Sequence, residues 1–291
     1  METSELLKKV RKIEIKTRGL SNQLFSGGYH SAFKGRGMSF SEVRDYQYGD
    51  DVRNIDWNVT ARFNQPYVKV FEEERELTMM LVVDVSRSSY FGSTPQLKSE
   101  LVTELCAVLS FSAINNNDKV GVILFSDKIE MFIPPKKGKS HILRIIRELI
   151  EFKPEQKETN IGLALEYLSN FLKKRSIVFL ISDFIDFNYL KPLQIASKRH
   201  DLIGINIQDP RDASLPNVGM VNFYDAETGE ERLIDTSNSF SRNSYSESYL
   251  RSFEQFQNSF ARCGSDKMTI NMHENYITAL LSFFKKRGRR A

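Results

Sequence analysis

The sequence predicts an α/β protein built on a doubly wound, mostly parallel sheet with an N-terminal extension. Three observations predict it. From residue 78 onward, short aliphatic runs alternate with longer apolar patterns of helical period, as expected of parallel strands joined by crossover helices. Two of the runs end in aspartates, Asp84 and Asp183, at the strand ends where open α/β sheets bind ligands. The first 76 residues lack this rhythm: Gly27, Gly28, Gly35, Gly37 and Gly49 punctuate a stretch dense in aromatics and in both charges, the mark of loops and short strands. The expected division is therefore an extension over 1–76 and an α/β domain over 77–291.

Within the α/β domain, Met79, Met80, Leu81, Val82 and Val83 read as the first strand. Leu97, Leu101, Leu105, Val108 and Leu109 recur at helical spacing, and a second strand follows over 120–125. Residues 128–133 can return as an antiparallel arm. Helices are expected over 142–149 and 161–172, then a strand over 177–181 that ends at Ser182 and Asp183. A short helix and a strand over 202–207 come next. Runs at 221–224 and 232–234 flank a hairpin turn at Glu227 to Glu230, and helices over 246–261 and 276–284 complete the pattern.

A length of 291 residues suits one large α/β domain with an appendage, and 41% hydrophobic with 27% charged residues is ordinary for a folded chain. The net charge of +4 comes from 41 basic and 37 acidic residues, but Lys285, Lys286, Arg287, Arg289 and Arg290 crowd one end. The body has no excess of positive charge, so nucleic acid is not an expected partner. The basic tail is either solvated or able to touch an acidic membrane surface. Cys106 and Cys263 form no spaced pair, and Cys106 sits in an apolar helical pattern, which points to a reducing cytoplasm. Residues 1–17 have helical spacing without the apolar run of a signal peptide. The most apolar stretch, 106–114, is much shorter than the ~20 residues a membrane helix requires.

Asp84-Val85-Ser86-Arg87-Ser88 follows the first strand directly. Alternate residues in a turn can aim one carboxylate and two hydroxyls at a point, and hard dications such as Mg²⁺ take such oxygens. An isolated triplet of this kind more often caps a helix. Here two further pieces come in order: Thr159 at a helix start and Asp183 at the end of a later strand. Asp84, Ser86, Ser88, Thr159 and Asp183 together resemble the metal-ion-dependent adhesion site of von Willebrand factor A domains. The resemblance implies bound Mg²⁺ or Mn²⁺, with a partner's acidic side chain completing the coordination.

The extension carries Gly35-Arg36-Gly37-Met38-Ser39-Phe40 and then a dense run from Arg44 to Arg62 that includes Asp45, Asp50, Asp51, Arg53, Asp56 and the sole Trp57. This signature resembles the family catalogued as domain of unknown function fifty-eight. Ser39 stands where that family commonly has an acidic residue. The resemblance implies a von Willebrand factor A-like domain associated with MoxR-type AAA+ ATPases, in an adaptor or co-chaperone-like role. Physically, Arg44, Arg53 and Arg62 beside the aspartates can form ion pairs that fix a glycine-rich loop, and Trp57 is expected to pack between extension and α/β domain. Arg44, Asp50, Arg53, Asp56, Trp57 and Arg62 are thus candidates for either a clamp or a partner surface.

Enzyme signals fail one by one. Gly138-Lys139-Ser140 lacks the glycine a phosphate loop needs at 133, where Ile133 stands, and His273-Glu274 is followed by Ile277 where a zinc protease needs histidine. No nucleophile elbow occurs. A Mg²⁺-dependent phosphohydrolase would use Asp84 as a nucleophile, but its usual second aspartate is Ser86. The expectation is a non-enzymatic, cytoplasmic, metal-dependent protein-interaction module. The alternatives are that phosphohydrolase or a structural subunit with a vestigial metal site.

Overall fold

The computed structural model describes residues 8, 10–14, 38–73, 77–86, 97–152, 158–224 and 231–289. The extension contributes strands β1 (Met38–Asp45) and β2 (Tyr67–Glu73), which pair antiparallel with helix α1 (Trp57–Phe63) between them. The rest of the chain runs β3 (Thr78–Asp84), α2 (Lys98–Asn115), β4 (Lys119–Phe125), β5 (Ile129–Lys136), α3 (Lys139–Glu151), α4 (Ile161–Phe171), β6 (Ile177–Ser182), α5 (Leu190–Arg199) and β7 (Asp201–Gln208). It continues as α6 (Pro210–Ala213), the hairpin β8 (Met220–Tyr224) and β9 (Glu231–Asp235), α7 (Ser239–Cys263), β10 (Asp266–Asn271) and α8 (Tyr276–Gly288).

Six strands form the central sheet in the order β10-β7-β6-β3-β4-β5. Every pairing is parallel except β4 with β5, which is antiparallel as the returning arm predicts. Side chains alternate across a strand, and β3 shows the consequence. Met79, Leu81 and Val83 enter one core with α2, α3 and α8, whereas Met80 and Val82 enter the other with α4, α5 and α7. The sheet is therefore wound on both faces, with β6 buried throughout and β3 buried from Met79 onward. Gly204 of β7 lets α7 come close: a Cβ there would lie 2.5 Å from the Phe260 ring.

Three expectations change. Arg287 does not belong to a solvated tail: it is 4% exposed and pairs with Asp201 and, at 2.6 Å, with Asp266. That guanidinium ties the N-terminal ends of β7 and β10 to α8, because its planar fork serves two carboxylates at once. Trp57 does not anchor the extension, since it is 69% exposed on a helix with no buried residue. Finally, β10 adds an edge strand, and α7 starts at Ser239 rather than at 246. No helix among the described residues is long and apolar enough to cross a membrane.

Candidate metal centre

Parallel strands bring their carboxyl ends to one edge of the sheet, and β6, β3 and β4 are adjacent there. Asp84 closes β3 and is 4% exposed. Its Oδ1 accepts the Ser86 N–H at 2.9 Å, and its Oδ2 accepts the Ser182 hydroxyl at 2.6 Å. Ser86 is fully buried in the turn that follows. Burial, reinforced by the charge of Asp183, pushes the Asp84 carboxyl up from 3.8 to about 6, against the hydrogen bonds of Ser182 and Ser86.

Asp183 follows β6 at the next strand end. Ser182 sets the turn around it by donating to Asp84 and accepting the Phe184 N–H at 3.0 Å. Phe184 adopts φ 58°, a left-handed conformation that few residues with a bulky side chain occupy. Its ring holds that backbone in place by packing on Phe256, Phe260 and Tyr189. Asp186 then fastens this loop to the start of α4. One carboxylate oxygen accepts the Ile161 N–H at 2.8 Å, and the other accepts the Asn188 N–H at 2.9 Å. Asn160 caps α4 through the Leu163 N–H, and its own N–H reaches the Ser126 carbonyl just past β4. Thr159, immediately before this cap, is thereby held beside the carboxyl edge of the sheet.

Two buried oxygens in this group have no hydrogen-bond partner among the described residues: Asp183 Oδ1 and Thr159 Oγ1. Such groups are rare, and each costs about 1–3 kcal/mol or more if charged. Among the described residues Tyr189, His200 and Asn206 also hold buried polar atoms without a hydrogen-bond partner, as do Ser110, Ser112 and Ser169, although a helical serine can rotate toward the carbonyl one turn back. A carboxylate oxygen has no such recourse and needs a donor or a cation. Among the described residues no group of three or more His, Cys, Asp or Glu side chains is arranged to hold a metal. An ion here would lean on two carboxylates, hydroxyls and water, a donor set that suits a hard dication. Ser88 lies outside the described residues.

Sequence reasoning missed three members of this neighbourhood. Ser182 orients Asp84. Lys98, the first residue of α2, is 3% exposed, and its Nζ lies 3.5 Å from Asp183 Oδ2 and 2.7 Å from Asp212 Oδ2. Burial would lower the Lys98 ammonium, but Asp183 and Asp212 together raise it above its ordinary value. Asp212 belongs to α6, where it accepts the Asp209 N–H in a capping box. Burial outweighs the neighbouring ammonium and lifts the Asp212 carboxyl above its ordinary range.

Of the charged residues singled out in the extension, Arg44, Asp50, Arg53 and Asp56 fall into local pairs. Arg44 and Asp50 meet in a two-bonded pair at 2.7 and 2.8 Å, and that bond, aided by the Gln47 N–H, holds the Asp50 carboxyl below its usual range. Arg53 reaches Asp51 at 3.5 Å, whereas Asp56 caps α1 and pairs with Lys69 at 3.4 Å. Arg62 is exposed in the last turn of α1, a helix that also carries the exposed Trp57 and Phe63.

The model of a family described as protein of unknown function DUF58 matches residues 42–255. Uncharacterized protein Rv1480 of Mycobacterium tuberculosis (strain ATCC 25618 / H37Rv) is 26% identical over 294 residues, spanning all of this chain and 92% of that protein. Among solved structures, an aerotolerance-related membrane protein from Bacteroides fragilis NCTC 9343 is 15% identical, with a TM-score of 0.49 over 74% of this chain and 100% of its own. The SpRpn10 VWA domain is 12% identical, with a TM-score of 0.41 over 71% of this chain and 93% of its own.

Proposed function

We infer the function from one premise: the chain belongs to the DUF58 family, whose model covers most of it. We propose that it is a metal-dependent protein-interaction module in which Asp84, Ser86, Ser88, Thr159 and Asp183 hold Mg²⁺ or Mn²⁺, directly or through water. The observation that carries this reading is that Asp183 Oδ1 and Thr159 Oγ1 are buried without a hydrogen-bond partner among the described residues, and that Asp183 faces Asp84, a carboxylate that burial already holds above its ordinary range. Unsatisfied polar atoms kept at one strand edge are expected where a ligand supplies the missing partner. Two carboxylates leave a dication short of anionic ligands, so an acidic side chain from a partner completes the shell.

The partner in this proposal is a MoxR-type AAA+ ATPase or that ATPase's client, and the role is that of an adaptor. The extension over 1–76 is a second contact surface, supported by the exposure of Trp57 and Phe63, while 77–291 carries the ion. Free thiols at Cys106 and Cys263 favour a cytoplasmic site. Binding is favoured over phosphohydrolysis because Ser86 occupies the position of the second catalytic aspartate. One observation favours the vestigial-site alternative, namely the Lys98 ammonium beside Asp183.

The test is capture of the endogenous partner by wild type, by wild type with chelator, and by Asp84→Ala, each confirmed folded. Loss of capture in the last two arms supports the metal bridge. Equal recovery in all three excludes it and moves the contact to the extension, where Arg53→Ala and Arg62→Ala are the next substitutions.

A further inference from the structure

We propose that Lys98 is a tethered counter-cation of this site, which competes with a divalent ion for Asp183 and sets how tightly that ion is held. The inference rests on the metal reading above and adds a residue that no ligand pattern contains. Its basis is geometric. Lys98 starts α2 with its side chain 4% exposed, and its ammonium sits between two carboxylates that are themselves 8% and 14% exposed. The nearer is Asp212, at 2.7 Å; the farther is Asp183, at 3.5 Å, whose other oxygen is the buried one without a hydrogen-bond partner among the described residues. One carboxylate thus faces the ammonium with one oxygen and leaves the second for another cation.

Two cations attracted to one carboxylate in a water-poor site repel each other strongly, because the separation is short and the screening weak. A dication bound at Asp183 therefore has to work against Lys98. Without Lys98, the buried carboxylates Asp84, Asp183 and Asp212 would repel one another in the metal-free chain, and removing one partner of a buried pair is strongly destabilising. The ammonium keeps the fold intact when no metal is bound and weakens the metal when it comes. Lysine suits that task, since its flexible stem lets the ammonium withdraw toward Asp212, which α6 holds in place through the Asp209 N–H.

The experiment is titration of the full chain with Mn²⁺, followed by calorimetry and by thermal unfolding, for wild type, Lys98→Met and Lys98→Arg. Lys98→Met should bind Mn²⁺ at least tenfold more tightly than wild type, unfold at a lower temperature in chelator, and gain more from Mn²⁺. Lys98→Arg, which keeps the charge, should bind no more tightly than wild type. If Lys98→Met does not fold in chelator, recovery of the fold in Mn²⁺ supports the proposal, and failure to recover overturns it. Equal affinities in wild type and Lys98→Met overturn the role of Lys98 while leaving the metal site standing. No binding by either overturns both.

Discussion

Asp84→Asn should make the metal-free protein more stable near neutral pH, against the usual direction for a substitution in a buried site. The folded-state carboxyl stands at about 6 instead of 3.8, first from burial and then from Asp183; a difference of that size is worth roughly 3 kcal/mol. The sign follows from the direction. A carboxyl raised on folding stabilises the fold most below its unfolded value near 3.8, and that contribution is lost as the pH climbs through about 6. At neutral pH the ionised Asp84 therefore opposes folding, and asparagine removes the charge. An amide oxygen can still accept the Ser86 N–H, but the charge-assisted bond from Ser182 weakens, giving back about 1 kcal/mol. The net gain is about 2 kcal/mol, or roughly 4–8 °C for a chain of this size. Urea unfolding in chelator, followed by circular dichroism near pH 7 and again near pH 4, measures it. The advantage should be present near pH 7 and small near pH 4. A variant less stable than wild type near pH 7, or equally favoured at both pH values, would refute the argument.

At the opposite end of the sheet, Arg287→Ala should cost about 3–5 kcal/mol by leaving Asp201 and Asp266 without their cation, a loss read from the urea midpoint; an unchanged midpoint would show that the pair is solvated. Gly204→Ala should cost about 1–3 kcal/mol because the new methyl meets the Phe260 ring in a full core, and thermal unfolding checks it. Trp57→Ala should change stability by no more than about 0.5 kcal/mol. The native emission should match that of solvated tryptophan, and a blue-shifted maximum would contradict the 69% exposure of the ring.

What the sequence discloses of this fold depends on how each element is buried. Strands β3, β4, β6 and β7 lie in the middle of the sheet, so they appear as near-continuous apolar runs, broken only by Asn206 within β7. Strand β10 is an edge strand, half-buried, and Asp266 to Asn271 interleave polar and apolar residues over too short a span to stand out. The first turns of α7 are mostly Ser, Asn and Arg, and their Phe240 is 78% exposed, so no buried apolar period announces them. In the extension, side-chain size is a poor guide to burial: Trp57 lies exposed on a two-turn helix, while Val68 is buried. At the strand edge, Asp84, Thr159 and Asp183 were legible because the order of elements announces where strand ends fall. Lys98 was not, since a lysine opening a helix ordinarily points to water, and its two carboxylates come from β6 and α6, far along the chain.

Two buried cations among the described residues of the α/β domain bring out what separates a structural ion pair from one suited to exchange. Arg287 and Lys98 each bridge two aspartates and each is almost fully buried, so charge and burial do not distinguish them. Side-chain chemistry does. A guanidinium is a planar fork whose donors fix two carboxylates in one arrangement, and it holds its hydrogen bonds with little left to move. At the Arg287 end, that rigidity joins β7, β10 and α8 permanently. An ammonium is a point charge on four flexible methylenes, able to favour one carboxylate over another without breaking a planar geometry. At the Lys98 end, Asp183 retains an oxygen without a partner among the described residues, and Phe184 holds a left-handed backbone, the kind of local strain that surrounding packing sustains at functional sites. The same count of charges thus locks one edge of the sheet and leaves the other open to a competing ion. Exchanging lysine for arginine at position 98 should accordingly shift the strand edge toward the locked behaviour, with a stabler metal-free fold and a weaker grip on Mn²⁺.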